Sequence, residues 1–363
     1  MASVLENVVW ESCLLEPRND PALAAYAKQR QGIANPAISY FSPVPWLARA
    51  LVDLHPEYGL LLHLDQDRAD LVTLAVSQEN SRRYCYAAVR ALLWAQGMSR
   101  ARIEQLERDL LRLELEPRVR AALHFGRAQS RVGPPAARAA REALLASGFS
   151  MEELKEIAFA VGVTDFSNRA HTIPAIPSQP IERLPDRFLI RLLRPLAQRI
   201  LRRHRVRGEP APPPTVEPQP YARLLKAYAG SPIAAALARV LDEMWASPVL
   251  GRRCKLAMLA VIARGLSCGG CARELEAPLR AAGLSEQSHK QLVAHLDAPE
   301  LDTVERLLVA FAAETIWYEP AAVQRRAQAL RGRLSPEQLI EGIGVAALGN
   351  GLCRMAAMVV DCE

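Results

Sequence analysis

Lysine is scarce in this chain of 363 residues: Lys28, Lys155, Lys226, Lys255 and Lys290 are the only ones, so the +6 formal charge is almost wholly arginine. The arginines are interleaved with acids on helical faces rather than gathered in a block. That pattern argues against a polyanion-binding surface, and no nucleic-acid partner is expected. Uncharged apolar runs of the roughly 18 residues that a membrane span needs are missing. The N-terminal "MASVLENVVWESCLLEP" carries acids and has no basic region leading into an apolar core, so it does not read as a secretory signal. No GxGxxG or GxxxxGK loop occurs, nor any haem or flavin motif, and no cofactor is expected. Runs of alternating, β-branched residues that would mark strands are also missing. The seven cysteines are unevenly spread with one close pair, which is not a disulfide framework; a reduced cytoplasm is the expected compartment.

Helical periodicity fills the space left by these absences. In "SRARIEQLERDLLRLELEPRVRAALHFGRA" and "LDTVERLLVAFAAETI" apolar residues recur at spacings of three and four with charges between them. Helix starts are marked by Ser150 in "SMEEL" and Ser335 in "SPEQL", each a hydroxyl ahead of acids at the next turn, with Pro336 at the first helical position. The expected fold class is all-α.

The chain also echoes itself. "SPVPWLARALVDLHPE" from Ser42 returns as "SPIAAALARVLDEMWA" from Ser231. "LVTLAVSQENSRRYCYAAVRALLWAQGMS" from Leu71 returns as "LAMLAVIARGLSCGGCARELEAPLRAAGLS" from Leu256, and "SMEELKEIAFAVGVTDFSNRA" from Ser150 as "SPEQLIEGIGVAALGNGLCRM" from Ser335. Three matches in one order at nearly constant separation predict two tandem copies of a helical domain. The expected layout is an N-terminal segment 1–39, a first copy 40–173, a linker 174–222 and a second copy 223–363. The linker is proline-rich at both ends and extended there. Between these ends, "RFLIRLLRPLAQRILRRHRVR" at 187–207 carries an apolar stripe opposite arginines. It reads as a connecting helix packed on a domain, with peripheral contact to an anionic membrane surface as the alternative.

Chemistry concentrates in "GLSCGGCARELEAPLRAAGLS" from Gly265. Cys268 and Cys271 stand one turn apart where a loop gives way to a helix. Exposed N–H groups at such a start favour thiolate, and two thiols at this spacing can form a disulfide. Zinc would need a second pair of ligands; Cys254, Cys353 and Cys362 are not arranged to supply one, and no metal is expected. The plain structural reading is two small cysteines packed on a helix.

The segment "DLVTLAVSQENSRRYCYAAVRALL" resembles the signature of the alkyl hydroperoxidase D and carboxymuconolactone decarboxylase superfamily, an acid followed by Cys-x-x-Cys and then a histidine. Asp70 stands at the acid, Ser77 and Asn80 at polar positions and Cys85 at the second cysteine, while Arg82 and Val89 replace the first cysteine and the histidine. The second copy keeps Cys268 and Cys271 but has Leu256 at the acid and Leu275 at the histidine. The resemblance implies an all-helical fold that oligomerises. It also implies a thiol-disulfide redox activity in which Cys271 meets a small peroxide or a disulfide-bearing redox partner and Cys268 resolves it. Glu274, on the face of Cys271, is the candidate substitute base, with Lys255, Arg264, His289 and His295 as further charged groups in the vicinity. Cys85, Asp70 and Arg82 form a secondary, degenerate site. Two alternatives stand beside this reading: a catalytically degenerate binding or scaffold protein, and a lyase like the carboxymuconolactone decarboxylases.

Overall fold

The computed structural model describes residues 11–31, 36–55, 59–80, 89–91, 93–94, 97–109, 115–131, 134–177, 195, 209–211, 220–317 and 319–360. These residues are all-α as expected, and no strand occurs among them. Cys85, Arg82, Cys362 and almost all of 187–207 lie outside the described residues.

The helices are α1 (Pro21–Gln31), α2 (Pro45–Asp53), α3 (Gln66–Glu79), α4 (Arg100–Asp109), α5 (Pro117–Arg131), α6 (Pro134–Ala146), α7 (Met151–Thr172), α8 (Ala222–Ala227), α9 (Pro232–Ala246), α10 (Arg252–Gly265), α11 (Gly269–Ala281), α12 (Glu286–His295), α13 (Thr303–Glu314), α14 (Pro320–Leu330) and α15 (Pro336–Val359). Their starts follow from local chemistry. Ser150 and Ser335 each accept from the backbone N–H three residues on, and Glu153 and Gln338 answer by accepting from the cap N–H groups; Asp302 and Glu305 do the same for α13. Proline opens α2, α9, α14 and α15, where its missing N–H costs nothing.

The two longest helices, α7 and α15, cross at the centre of the molecule and are buried on nearly every side. Their backbones touch at two glycines. A Cβ on Gly351 would meet the Gly162 carbonyl oxygen at 2.5 Å, and one on Gly162 would meet the Gly351 carbonyl oxygen at 2.8 Å. By length and composition α15 is apolar enough to cross a membrane, but 89% of its apolar window is buried against protein. The helices α3 and α5 flank α7, α10 and α13 flank α15, and α2 packs on α9.

Several helices begin at a constant spacing along the chain. Helix α3 begins at Gln66 and α10 at Arg252, α5 at Pro117 and α13 at Thr303, α6 at Pro134 and α14 at Pro320, each pair 186 residues apart. Buried carboxylates follow the same rule. Glu156 on α7 accepts from the N–H groups of Leu62 at 2.7 Å and His63 at 3.0 Å just ahead of α3. Glu341 on α15 accepts from the Leu250 N–H at 2.6 Å just ahead of α10, from Trp46 Nε1 at 2.8 Å, and pairs with Lys255. Each carboxylate thus satisfies backbone donors that would otherwise be orphaned where the chain enters a buried helix.

Where α7 and α15 cross, Asp165 holds two arginines. Its Oδ2 lies 2.8 Å from Arg169 Nη1 and 2.6 Å from Arg354 Nε, and its Oδ1 accepts from Asn80 Nδ2 at 2.8 Å. The arginines reach across in opposite directions, Arg169 Nε to the Thr315 carbonyl at 3.0 Å and Arg354 Nη1 to the Gln129 carbonyl at 2.7 Å. Burial pulls Arg354 down to about 10. This network ties the two halves together through hydrogen-bonded, desolvated groups, which hold one geometry better than apolar contacts alone.

Candidate functional site

Helix α10 ends in a turn that fixes Cys268. The Ser267 N–H bonds the Arg264 carbonyl at 2.9 Å and the Cys268 N–H bonds the Ala263 carbonyl at 2.8 Å, the paired bonds of a Schellman motif. Such a motif places its first residue beyond the helix in the left-handed region, normally glycine. Here Ser267 takes it, at φ 53°. Two helices therefore share one residue, since Cys268 closes this turn and is also the N-cap of α11. Cys271 follows in the first turn of α11. The Cα atoms are 5.4 Å apart and the sulfurs lie within disulfide-bonding distance. The open N–H groups of that first turn favour negative charge on either sulfur.

Both cysteines are buried. Cys268 is 0% exposed and Cys271 4%. Cys271 lines a shallow indentation of about 10 Å³, room for a single water, together with Tyr221, Leu224, Ala356 and Val360 and the charged Arg223 and Glu274. Its lining is mainly apolar.

Of the predicted groups, Glu274 is brought beside Cys271. One of its oxygens accepts from the Arg223 N–H at 3.1 Å, so the carboxylate is tied to the first turn of α8. The others lie elsewhere. Lys255 is buried at the opposite end of α10, its Nζ donating to the Met244 and Ser247 carbonyls at 2.7 Å each, and burial holds its pKa below the usual lysine range. About 20 Å of helix separate it from Cys268. Arg264 and His295 are exposed and His289 is half-buried, and none of them lines the indentation. Leu256 and Leu275 are buried at 0% and 1%. In the first half, Asp70 is buried on α3 and accepts from Gln66 Nε2 at 3.1 Å, and Ser77 lies 3.5 Å from Asn168 Oδ1. Among the described residues, Cys13, Cys254 and Cys353 do not join the pair. Cys254 faces the core, where burial and the Glu305, Asp302 and Glu341 carboxylates push it up to about 12.

Sequence reasoning missed Tyr221, which stands at the end of the predicted linker. Its side chain is fully buried against the second half, its hydroxyl lies 3.6 Å from Cys353 Sγ, and burial raises its pKa well above the usual tyrosine value. No local pattern marks it, because its contacts are with residues about 50 and 130 positions away. Among the described residues no group of three His, Cys, Asp or Glu side chains is placed to hold a metal.

No family model, curated protein or solved structure matches this chain.

Proposed function

We propose that the protein is a thiol-disulfide redox protein in which Cys268 and Cys271 cycle between dithiol and disulfide while reducing a small peroxide or a disulfide. One observation carries the reading: the two sulfurs are within bonding distance at a helix start, and one of them borders the shallow indentation. The chemistry balances without a cofactor. The Cys271 thiolate attacks a peroxide oxygen, the O–O bond breaks, and the alkoxide leaves with a proton from solvent. The Cys268 thiol then displaces hydroxide from the Cys271 sulfenic acid, giving water and the disulfide. An external thiol reductant restores the pair. We also read the two halves as tandem copies of one helical domain, supported by the 186-residue spacing of their helices and by the paired carboxylates Glu156 and Glu341.

A scaffold role is the second reading. It is favoured by the commitment of Glu274 to the Arg223 N–H and by the leucines at 256 and 275, neither of which can act as a base. Titration of thiols before and after peroxide, in wild type and Cys271→Ser, separates the two. The redox reading expects a loss of two thiols in the wild type and none of that paired loss in the variant. A chain whose thiols are untouched by peroxide is a scaffold.

A further inference from the structure

The turn that carries Cys268 leans on a segment that takes no part in the thiol chemistry. Gly265 is the last residue of α10, and the tip of Ile316 occupies the space where a side chain at 265 would stand. A Cβ on Gly265 would meet Ile316 Cδ1 at 2.3 Å, while Ile316 Cγ1 and Cγ2 lie farther off at 3.5 and 3.6 Å. Ile316 is itself buried. The two carbonyls that accept the N–H groups of Ser267 and Cys268 belong to Arg264 and Ala263, the residues just ahead of Gly265. A shift in the last turn of α10 is therefore passed directly to Cys268.

The main chain that presents Ile316 is fixed. Thr315, the residue before it, is fully buried and is held from both long helices. Arg169 Nε of α7 donates to the Thr315 carbonyl at 3.0 Å, and Asn350 Nδ2 of α15 donates to the Thr315 hydroxyl oxygen at 3.0 Å. That hydroxyl donates in turn to the Ala312 carbonyl at 2.7 Å, and the N–H groups of Thr315 and Ile316 return to carbonyls of α13. Arg169 is anchored by Asp165 of the same helix. Buried hydrogen bonds thus hold Ile316 on one side, and the backbone of α10 receives its side chain on the other.

Resting on the redox reading, we propose that Ile316 is a positioning residue for the Cys268–Cys271 pair: seated on Gly265 and fixed through Thr315, it holds the end of α10 where Cys268 meets Cys271. A disulfide forms more readily when the fold already keeps its two thiols together, because less freedom is lost as the bond closes. Displacing or emptying the seat costs the disulfide form more than the dithiol form, which has no bond to keep. The equilibrium that reports this is exchange with a small thiol. The reagent's thiols are oxidised to its disulfide, the Cys268–Cys271 bond breaks, and the two cysteines take up two electrons and two protons.

The test equilibrates the full-length protein with graded mixtures of reduced and oxidised glutathione or dithiothreitol and reads the fraction of the pair in the disulfide form by mass spectrometry, beside thermal denaturation of the same variants. Gly265→Ala drives the Ile316 tip from its seat, and Ile316→Ala empties the seat. In the double variant Gly265→Ala/Ile316→Val the new methyl takes the place of the lost Cδ1, at the 3.5 and 3.6 Å of ordinary contact with the γ carbons that remain. The expected result is a fall of at least about fivefold in the equilibrium constant for the disulfide in each single variant, a rise of about 20 mV in potential, and a return to within about twofold of wild type in the double variant. Single variants that keep the wild-type potential, whether or not they lose thermal stability, overturn the positioning role and leave the redox reading standing. A double variant that stays as far from wild type as Gly265→Ala does the same. A wild type whose pair forms no disulfide in any mixture ends both.

Discussion

The ends of α3 and α10 stand 186 residues apart in the chain and are lined in opposite ways. The first half buries Asp70, Ser77 and Asn80; the second, at the matching positions, buries Leu256, Ala263 and Leu266. The first half thus has polar groups at these three positions without a cysteine pair, and the second has the pair with apolar residues at the same three positions. Asn80 shows what the polar lining does in the first half, since its amide donates to Asp165 and joins the network at the α7–α15 crossing. Leu266 instead caps a helix end from which the dithiol turn departs. Polar lining in one half joins the network that ties the two halves together, while apolar lining in the other packs under the two buried cysteines.

The strongest way to break this contrast is to remove the carboxylate shared by both arginines. Asp165→Ala leaves Arg169 and Arg354 buried around an empty position and is expected to destabilise by about 3–5 kcal/mol. Its counterpart Asn350→Ala, where Nδ2 donates to Thr315 Oγ1, is expected to cost about 1–2 kcal/mol. Urea denaturation of the two variants checks the difference; equal losses would mean that the crossing does not depend on the charge.

The contrast is sharpened by adding a histidine to the second half. Leu275→His places an imidazole one turn beyond Cys271. It is expected to lower stability by about 1–3 kcal/mol, because a polar ring enters an apolar site, and to speed peroxide-driven disulfide formation at least about tenfold. Stopped-flow loss of thiols reports the rate. An unchanged rate would show that base assistance does not limit the pair.

Alkaline pH probes the apolar half differently. Burial raises Cys254 to about 12, and it also raises Tyr26, Tyr221 and Tyr228, with Asp53 adding to the rise of Tyr26 to about 12. Raised values in the fold mean that the unfolded chain loses these protons first. The stability they contribute is complete below about pH 9 and is lost as pH rises toward 12. Cys254 alone corresponds to about 1.4 kcal/mol per pH unit within that window. Urea midpoints at pH 8, 10 and 11 are expected to fall in that order, and a constant midpoint would contradict the burial of these groups.

The smallest effect belongs to the dithiol turn. Ser267→Gly relieves a left-handed serine, worth about 1–2 kcal/mol, but loosens the unfolded chain by about 0.4–1 kcal/mol, so a net gain of at most about 1 kcal/mol is expected. Thermal denaturation measures it, and a clear loss of stability would mean that the serine hydroxyl matters more than its backbone.

Much of this was legible in the sequence where the determinants are local. The capped starts at Ser150 and Ser335 and the proline at 336 mark the two central helices, and the cysteine spacing marks the pair. What escaped depends on contacts between distant segments. Helices α7 and α15 are buried all round, so they show no apolar stripe from which Asp165, Arg169 or Arg354 would stand out as buried rather than solvated. Glu156 and Glu341 were open to detection, since they occupy the same place in the echoed segments from Ser150 and Ser335. Tyr221 was not, because neither its left-handed backbone nor its burial against Cys353 leaves any local mark.

The central claim is that Cys268 and Cys271 act as a redox pair, and peptide mapping by mass spectrometry after a brief exposure to a small hydroperoxide tests it most directly. The account expects the peptide spanning both cysteines to become lighter by about 2 Da, to recover on treatment with dithiothreitol, and to show no such change in Cys271→Ser. A peptide that stays reduced while other cysteines of the chain oxidise would contradict it.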